Sequence, residues 1–563
     1  MKIKLTLFLI LSTFLALFVN SQIVTHQYSS TLPYLWVIAQ LLFVISLTSN
    51  NIFFSIKSFI HKLITKKEVL IVLLLVAGVL LIRGLLLSDQ RIHRDEFISG
   101  KFSAQYNTFD NLNFFAGYPP NKGWVSQFPS MYFFLQSKFF EVFGVDVMTL
   151  KYSIFPYIAI LSLLLYLFTR NIANRQTAFF VLIAHAFLAV SIYFDTFGLH
   201  FISSTTSFML FLYILECFIS KPDNLRAGLL GLATGYNYLF YLSSYFVFPL
   251  VIIIFLVLII YKRSISWVKY LLILTAGFYL IVGPFLMFNF FEQWYITERF
   301  KQVNSLSIPA QILSDPGAAL SLVSARTSDS VRALITNDIG GSGDYDFGHL
   351  ALFNRFTLLL FVLGFIGLWR FVKQQIIKSV ITVVILGTFF GAMVMTDPPF
   401  AYHRFTISFP LVSICIGLFF NAIYNFFKNI KILQFVLISL LLLIYSYGNI
   451  QYVQKAYAQD IQNHQEDLQD LKLIKYLDKN YSDRKLYVAA FPGYALDYIY
   501  YFVKPDQKIV VDYHVNVLHD FKYDEKYVYV IVFPDQFDEV FLEKDPNGKI
   551  INSGFKKYSI FAN

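Results

Sequence analysis

Long apolar runs separated by short polar turns fill most of this chain. A helix needs about 20 consecutive, mostly apolar residues to cross about 30 Å of hydrocarbon. Thirteen runs approach or reach that length, and we interpret each as a transmembrane helix: 3–20, 31–50, 68–88, 149–169, 177–195, 200–219, 225–240, 243–262, 267–288, 352–371, 377–396, 405–427 and 430–448. The pattern therefore predicts an all-α polytopic membrane bundle over residues 1–448.

Three longer polar stretches lie between or after these runs. The first two are loops at 89–148 and 289–351, and the third is the tail at 449–563. The tail starts with a polar helical pattern at 462–479 and continues with β-like runs at 485–491, 508–513 and 527–533. A helix followed by short strands bounded by Pro and Gly predicts a small α/β domain.

Basic residues occur in alternate short loops. Arg170 and Arg175 mark one such loop, and Lys428 and Lys431 mark another, whereas the intervening short loops almost lack Lys and Arg. The positive-inside rule then predicts a multi-pass protein of the plasma (cytoplasmic) membrane with its N-terminus in the cytoplasm. Both long loops and the tail are predicted to be extracytoplasmic.

The first 22 residues have a second interpretation. They carry a basic tip, an apolar stretch and small residues spaced as at a signal-peptidase site. We favour a retained helix, and cleavage would leave every later segment on the same side of the membrane.

Composition agrees with a membrane protein and narrows its partners. The chain is 57% hydrophobic and 14% charged, whereas soluble domains carry about 25% charged residues. The net charge of +10 comes mostly from short loops, so we do not predict nucleic-acid binding. Cys217 and Cys415 each lie inside an apolar run, which indicates free thiols rather than a disulfide or a metal cluster.

The segment 91–97 is the richest in chemistry. It places two adjacent acids, Asp95 and Glu96, between Arg91 and Arg94 at the predicted outer surface. A partly desolvated carboxylate there could accept a proton from an attacking hydroxyl, and an arginine could hold a phosphate. An ordinary charged collar at a helix end is the alternative interpretation.

Two further polar groups lie at predicted outer turns. Arg404, after His403, stands against the charge bias of the outer loops and needs an anion, either a phosphate or an acid such as Asp397. A cation that snorkels to the interface is the alternative. Asp195 and His200 share another outer turn, where a lone histidine is more often structural than a ligand.

The motifs together resemble a known group of enzymes. A span is followed by Arg94-Asp95-Glu96, a long outer loop, the segment 127–132 (Gln-Phe-Pro-Ser-Met-Tyr) and a run that closes at 143–145 (Phe-Gly-Val). The segment 402–410, Tyr-His-Arg-Phe through Phe-Pro, comes late in the chain. This order is similar to the GT-C fold glycosyltransferases of the protein-O-mannosyltransferase and aminoarabinose-transferase group, over roughly residues 68–450.

The resemblance implies sugar transfer from a polyprenyl-phosphate donor to a hydroxyl of a lipid, glycan or protein acceptor, with inversion at the anomeric carbon. Asp95 matches the family's catalytic Asp and Glu96 the acid beside it. Four residues are then expected to bind the donor phosphate, and three more to lie at an acceptor or substrate site: Arg404, His403, Arg94 and Arg91 for the first, and His200, Asp195 and Tyr132 for the second.

One departure concerns metal binding. Aminoarabinose transferases carry Glu-Lys just before the matching Pro, whereas this chain has Gln127-Phe128. The resemblance therefore predicts no metal ligand at that pair, and a divalent metal stays an open alternative as cofactor.

Three other functions stay in consideration. A flippase or transporter for a lipid-linked glycan would need ionisable groups inside the spans, and the sequence shows Glu216 near a span end and little else. A polymerase or ligase of surface polysaccharide would share the outer site. The large outer loops argue against a plain membrane scaffold.

Overall fold

The computed structural model describes most of the chain and divides it into two compact units. The described residues are 2–25, 27, 29–48, 66–107, 115, 128–291, 312–341, 345–396, 399–489, 496–503, 510–512, 527–532, 549–551 and 558–562. We call residues 1–90, 108–134 and 154–460 the membrane unit, and residues 91–107, 135–153 and 461–563 the small unit. Each unit is described by itself.

Helices dominate the described chain as far as residue 480. In chain order they are α1 (Lys2–Val24), α2 (Leu32–Leu47), α3 (Lys66–Leu86), α4 (Arg94–Ala104), α5 (Met131–Phe143), α6 (Val147–Tyr152), α7 (Phe155–Ile172), α8 (Arg175–Phe187), α9 (Ala189–Asp195), α10 (Phe201–Ser220), α11 (Asn224–Tyr236), α12 (Val247–Lys262), α13 (Ile265–Phe291), α14 (Pro316–Ile335), α15 (Arg355–Phe371), α16 (Gln375–Thr388), α17 (Phe409–Phe426), α18 (Lys431–Asn463) and α19 (Gln465–Asn480). A π-helix at Phe389–Val394 and a 3₁₀ segment at Tyr402–Ser408 connect α16 to α17.

The described helices make this chain an integral multi-pass membrane protein. Nine of them are long and apolar enough to cross a bilayer, and the bent pair α8–α9 makes a tenth. The prediction of thirteen spans is not confirmed. The predicted spans 225–240 and 352–371 are helices of 13 and 17 residues, and 31–50 is a helix of 16 residues, each shorter than about 20 residues.

Two helices form the centre of the membrane unit. Most residues of α10 and α17 are buried inside the unit, whereas α1, α3 and α18 expose most of theirs. The exposed residues are nevertheless apolar, as Leu70, Leu74 and Leu85 of α3 show. Apolar residues that face outward all along a helix are the expected surface toward lipid.

Small residues bring α11 and α13 together. A Cβ atom added to Gly231 would lie 2.1 Å from the carbonyl oxygen of Leu274, and one added to Gly235 would lie 2.5 Å from Cβ of Ile281. Only glycine permits this backbone approach, which is the packing expected of small residues four apart in a membrane helix.

Polar contacts tie helix ends together on one side of the membrane unit. Glu68 at the start of α3 accepts hydrogen bonds from Tyr166 Oη and Arg170 Nε at 2.6 and 2.7 Å. Glu216, near the end of α10, accepts from Asn171 Nδ2 at 2.7 Å and from Gln374 Nε2 at 3.2 Å. The helix ends that the basic loops predict to lie on one side of the membrane are therefore close to one another.

The small unit has an α/β core. Its strands are β1 (Lys485–Ala489), β2 (Val510–Asp512), β3 (Tyr527–Val532), β4 (Lys549–Ile551) and β5 (Tyr558–Ala562), in the order β2-β1-β3-β5-β4. β1 is parallel to β2 and β3, and β5 is antiparallel to β3 and β4. The three β-like runs of the tail are confirmed as β1, β2 and β3.

Helices of the predicted 89–148 loop complete this core. Phe97 of α4 packs against Phe502 of α20 (Leu496–Val503) with ring centroids 5.7 Å apart. Phe140 of α5 contacts the same ring at 6.1 Å. The small unit thus combines pieces of the predicted 89–148 loop with the tail.

The helix α18 continues without a break for 33 residues, which is about 50 Å at 1.5 Å per residue. The predicted boundary between residues 448 and 449 falls inside it, and the two units divide after Asp460. Its later half stays packed, because Tyr457 is buried and stacks on Tyr193 at 5.5 Å.

Candidate active site

The Asp-Glu pair lies in the first turn of α4, where the local sequence fixes the helix start. His93 is the N-cap, and its Nδ1 accepts a hydrogen bond from the backbone N–H of Asp95 at 3.0 Å. Glu96 reaches back so that Oε2 accepts from the backbone N–H of His93 at 2.8 Å. This reciprocal capping box satisfies two N–H groups that a helix start leaves without partners. Acids also suit this turn because the helix dipole is positive there.

Glu96 is held from a second direction by Lys151 of α6. Lys151 Nζ lies 2.8 Å from Oε1 of Glu96, and their side chains are 3% and 0% exposed. Lys151 also donates to the carbonyl oxygen of Arg91 at 3.4 Å. Both carboxylate oxygens of Glu96 are therefore engaged inside the protein.

Asp95 differs from its neighbour because its side chain is 23% exposed. Its Oδ2 lies 3.7 Å from Nδ1 of His93, but this is not an ion pair. Burial, together with the positive charges of Arg91 and Arg94, holds the pKa of His93 well below its ordinary value. The ring is then neutral at physiological pH, and Nδ1 is already an acceptor for the Asp95 N–H.

The two predicted arginines beside these acids have different surroundings. Arg91 is 2% exposed, whereas Arg94 is exposed. Both lie close enough to the His93 ring to lower its pKa. In the small unit the structure thus brings together Arg91, Arg94, Asp95 and Glu96, four of the predicted site residues.

In the membrane unit, Asp195 lies at a break in a span. The helices α8 and α9 are bent by 64°, and the break leaves carbonyl groups of α8 without helical partners. Arg83 of α3 donates to the carbonyl oxygens of Ala186 and, at 2.9 Å, His185. The same guanidinium lies 3.2 Å from Oδ2 of Asp195, with both side chains buried. Asp195 therefore belongs to a buried ion pair.

Two residues of α18 complete this polar group. Tyr445 donates to the carbonyl oxygen of Ala184 at 2.9 Å, and Oδ1 of Asn449 accepts from the N–H of Ala189 at 3.2 Å. His185 is also fully buried, with Nε2 3.7 Å from Oδ2 of Asp195. The sequence interpretation named Glu216 near a span end and little else charged at mid-membrane, and it did not consider Arg83 inside the predicted span 68–88.

His200, five residues after Asp195, lies in an aromatic cluster. Its ring centroid is 4.5 Å from that of Phe128 and 4.4 Å from that of Tyr241. Tyr132 is next to it at 6.1 Å. His200 is 2% exposed, so its imidazole is an internal group of this cluster.

The same cluster continues to His403. Phe201 and Tyr345 contact the His403 ring with centroids 5.3 and 5.1 Å away, and Phe201 also contacts Tyr241 at 5.7 Å. His403 and Arg404 are both half-buried in the 3₁₀ segment before α17. Tyr132, His200 and His403 are thus brought together, with Arg404 next to them in the chain. Asp397, the acid suggested for Arg404, lies outside the described residues.

Lys151, Arg83 and Tyr345 are among the residues of these sites that the sequence interpretation missed. An arginine inside an apolar run is itself a signal of function or of burial, so Arg83 could have been found. Over the described part of the chain, no group of three or more His, Cys, Asp or Glu side chains is placed to hold a metal ion.

Comparison with known proteins gives the fold. No protein-family model and no curated protein matches the sequence. The crystal structure of ArnT from Cupriavidus metallidurans bound to undecaprenyl phosphate is similar, with a TM-score of 0.56, 10% identity, and 87% of this chain and 97% of that chain covered. The apo structure of that ArnT has a TM-score of 0.51 at 12% identity, with the same coverage. The chain therefore has the GT-C fold that its motifs predicted.

Proposed function

We propose that this GT-C chain is a membrane glycosyltransferase that moves a sugar from a polyprenyl-phosphate donor to a hydroxyl acceptor on the outer face of the membrane. The observation that carries the proposal is Asp95, a partly exposed carboxylate that a capping box and the buried Glu96–Lys151 pair hold in place. The ArnT with a similar fold binds undecaprenyl phosphate, which supports a lipid phosphate as the leaving group.

In the proposed reaction, Asp95 accepts the proton of the acceptor hydroxyl. The hydroxyl oxygen forms a bond to the anomeric carbon, and the bond from that carbon to the phosphate oxygen breaks. The lipid phosphate leaves with the electron pair, and direct displacement inverts the anomeric carbon. Glu96 and Lys151 position Asp95, because both are buried and engaged with each other.

The developing charge on the leaving phosphate needs fixed cations. We assign this role to Arg404 and His403. For a phosphate bound near α4, Arg94 and Arg91 would take the same role. The aromatic cluster around Tyr132 and His200 would take the sugar or the acceptor through ring faces. Asp195 stays outside this assignment, since Arg83 already pairs with it.

In the proposed orientation the chain lies in the plasma membrane, and its N-terminus is in the cytoplasm. The contacts of Glu68 and Glu216 support the alternation of loops on which it rests. Accessibility labelling of an Asp95→Cys variant in intact cells tests it, and protection from a membrane-impermeant reagent would overturn the outer-face site.

The function is tested with purified protein in detergent. We expect mass spectrometry of the co-purifying lipids to find a polyprenyl phosphate. In a second assay, the protein receives a panel of undecaprenyl-phosphate-linked hexoses and pentoses, with an extract of total membranes as the acceptor source. Acceptor-dependent release of undecaprenyl phosphate is the expected result, and no release from any donor would contradict the proposal.

Arg404→Ala tests the phosphate assignment. The variant loses a half-buried cation, so we expect a donor KM at least tenfold higher and a smaller effect on the unfolding temperature. An unchanged donor KM and kcat would remove Arg404 from phosphate binding.

A flippase or transporter for a lipid-linked glycan is the second candidate. Arg83, His185 and Asp195 favour it, because they are ionisable groups buried among membrane helices. A flippase would move lipid in vesicles without releasing undecaprenyl phosphate, and Asp95→Asn would leave that movement intact.

A further inference from the structure

Tyr402 anchors the segment that carries Arg404 and His403. It is the first residue of the 3₁₀ segment at Tyr402–Ser408, two positions before Arg404. Its side chain is buried, and its hydroxyl donates to the carbonyl oxygen of Ala333 at 2.6 Å. The carbonyl oxygen of Leu350 lies 3.3 Å from the same hydroxyl. Because a phenol has one hydrogen, the shorter contact with Ala333 is the stronger bond.

This hydroxyl lies where the end of α14 meets the chain that follows it. Ala333 belongs to the last turn of α14, and its carbonyl oxygen also accepts the backbone N–H of Leu352 at 3.1 Å. Leu350 precedes α15 by a few residues. A Cβ atom added to Gly341 would lie 2.8 Å from Cδ2 of Tyr402, so the ring is closely packed. Tyr402 therefore joins its segment to one defined place on α14.

Two more side chains of α14 contact the chain just before Tyr402. Oγ of Ser330 donates to the carbonyl oxygen of Met393 at 3.2 Å. Nη1 of Arg326 lies 3.5 Å from the carbonyl oxygens of Val394 and Thr396. These contacts follow one another along α14 and end at the Tyr402 bond. The helix is thus fixed against the chain that leads to Arg404.

The far end of the 3₁₀ segment is tied to a different helix. Oγ of Ser408 lies 2.5 Å from Oγ1 of Thr388, the last residue of α16. His403 and Arg404 lie between the two anchors and are half-buried. A side chain keeps a precise direction when the backbone that carries it is held by packing and hydrogen bonds. The direction of Arg404 therefore depends on the anchor at Tyr402.

We propose that Tyr402 is a positioning residue for the donor phosphate, because its bond to Ala333 holds Arg404 in place against α14. The inference rests on the proposed function, which assigns Arg404 to the lipid phosphate. The Tyr402 hydroxyl is buried and donates to a carbonyl group of the protein, so it acts through Arg404. Binding of phosphate by arginine depends on the direction of the guanidinium, and a misdirected Arg404 would bind the donor less tightly.

Tyr402→Phe tests the inference, since it removes the hydroxyl and keeps the buried ring. The matched control is Tyr452→Phe. Oη of Tyr452 donates to the carbonyl oxygen of Ala351 at 2.7 Å, next to Leu350, but Tyr452 belongs to α18 and not to the 3₁₀ segment. Both variants lose a bond from a tyrosine to a backbone carbonyl of this region. We therefore expect similar small decreases in the unfolding temperature.

The measurement is the affinity of each purified variant for undecaprenyl phosphate in detergent. Loss of one hydrogen bond that positions the cation should weaken binding by about three- to tenfold in Tyr402→Phe. Tyr452→Phe should bind as the wild-type protein does. The double variant Tyr402→Phe with Arg404→Ala should bind no more weakly than Arg404→Ala alone, because Tyr402 then has no cation to position.

The release assay gives a second readout. In Tyr402→Phe we expect the donor KM to rise by the same factor as the dissociation constant of undecaprenyl phosphate, with kcat at the wild-type value. A purely structural role would lower the amount of active protein, and therefore the apparent kcat, and would leave the donor KM unchanged.

Wild-type affinity in Tyr402→Phe would overturn the inference. Equal weakening in Tyr452→Phe would also overturn it, because that result describes a general effect of the loop. Additive losses in the double variant would show that Tyr402 acts without Arg404, which is the third contradicting result. Absence of release by a wild-type protein that binds undecaprenyl phosphate contradicts the transferase function alone, since the affinities still test Tyr402. The two failures are therefore distinguishable.

Discussion

Among the described residues, each unit buries an ion pair beside the end of a helix, and the two pairs have different roles. In the small unit, Glu96 and Lys151 are enclosed at the start of α4, while the adjacent Asp95 stays partly exposed. In the membrane unit, Arg83 and Asp195 are enclosed at the break between α8 and α9, and the guanidinium also donates to carbonyl oxygens of α8. The first pair fixes the start of α4, where we propose a reactive carboxylate; the second stabilises the broken backbone between α8 and α9.

The comparison teaches which acid of a motif is available for chemistry. A buried ion pair is no general gain in stability, since desolvation offsets the attraction between its charges. A buried ion pair instead fixes the positions of its two side chains. Burying either charge without its partner is so unfavourable that arrangements which separate the two are excluded. Glu96 and Asp195 are therefore positioning groups, and Asp95, whose side chain is 23% exposed, is the acid for which we propose a catalytic role.

The largest expected effect is on turnover in Asp95→Asn. General-base catalysis contributes about 10²–10⁴-fold, so undecaprenyl phosphate release should fall by that factor while the unfolding temperature stays unchanged. The control is Glu141→Gln, which removes an exposed acid of the small unit. Full activity in Asp95→Asn would end the distinction between the two acids.

The next effect concerns the membrane unit. Arg83→Met leaves Asp195 buried without its cation and two carbonyl groups without their donor, so we expect about 3–5 kcal/mol lower stability. Thermal unfolding in detergent measures it. Arg170→Met is the matched control, since Glu68 keeps its hydrogen bond from Tyr166, and it should cost clearly less. Equal losses would show that Arg83 has no special role at the break.

A similar loss is expected in the small unit, now coupled to activity. Lys151→Met isolates the buried Glu96, which should lower stability by about 3 kcal/mol and reduce turnover through Asp95. The double variant Glu96→Gln with Lys151→Met should recover much of both, because Gln still accepts from the His93 N–H. Lys138→Met, at an exposed pair, is the control. No recovery would argue that Lys151 acts on substrate directly.

The smallest effect is a pH dependence of the α4 cap. The pKa of folded His93 is depressed, so its contribution is complete above the unfolded value near 6.5 and is lost as pH falls toward the folded pKa. Stability should drop by at most about 1.4 kcal/mol per pH unit below 6.5. His93→Asn caps the helix without titrating, and should flatten unfolding temperatures measured between pH 7.5 and 5.5. An unaltered slope would contradict the assignment.

The apolar pattern predicted the architecture well because lipid imposes it directly. Long spans, the loops between them and the strands of the tail all follow from local sequence. The count of thirteen spans is not confirmed, because 225–240 and 352–371 are helices of 13 and 17 residues. Hydropathy alone does not decide whether helices of that length cross the bilayer.

The candidate site was predictable only in part. The Asp-Glu motif pointed to the first turn of α4 but could not separate its two acids, since the difference depends on Lys151, 55 residues later. Arg83 and Asp195 are 112 residues apart, and no local pattern links them.

The unbroken helix α18 restricts how this protein can change length. One inserted residue between Asn449 and Tyr457 would turn everything beyond it by about 100° and shift it by about 1.5 Å. Tyr457 would then leave Tyr193, while Asn449 stayed at the α8–α9 break. We expect insertions between Asn449 and Tyr457 to be tolerated poorly at any length, because even seven residues, which nearly restore the rotation, would shift the later half by about 10 Å.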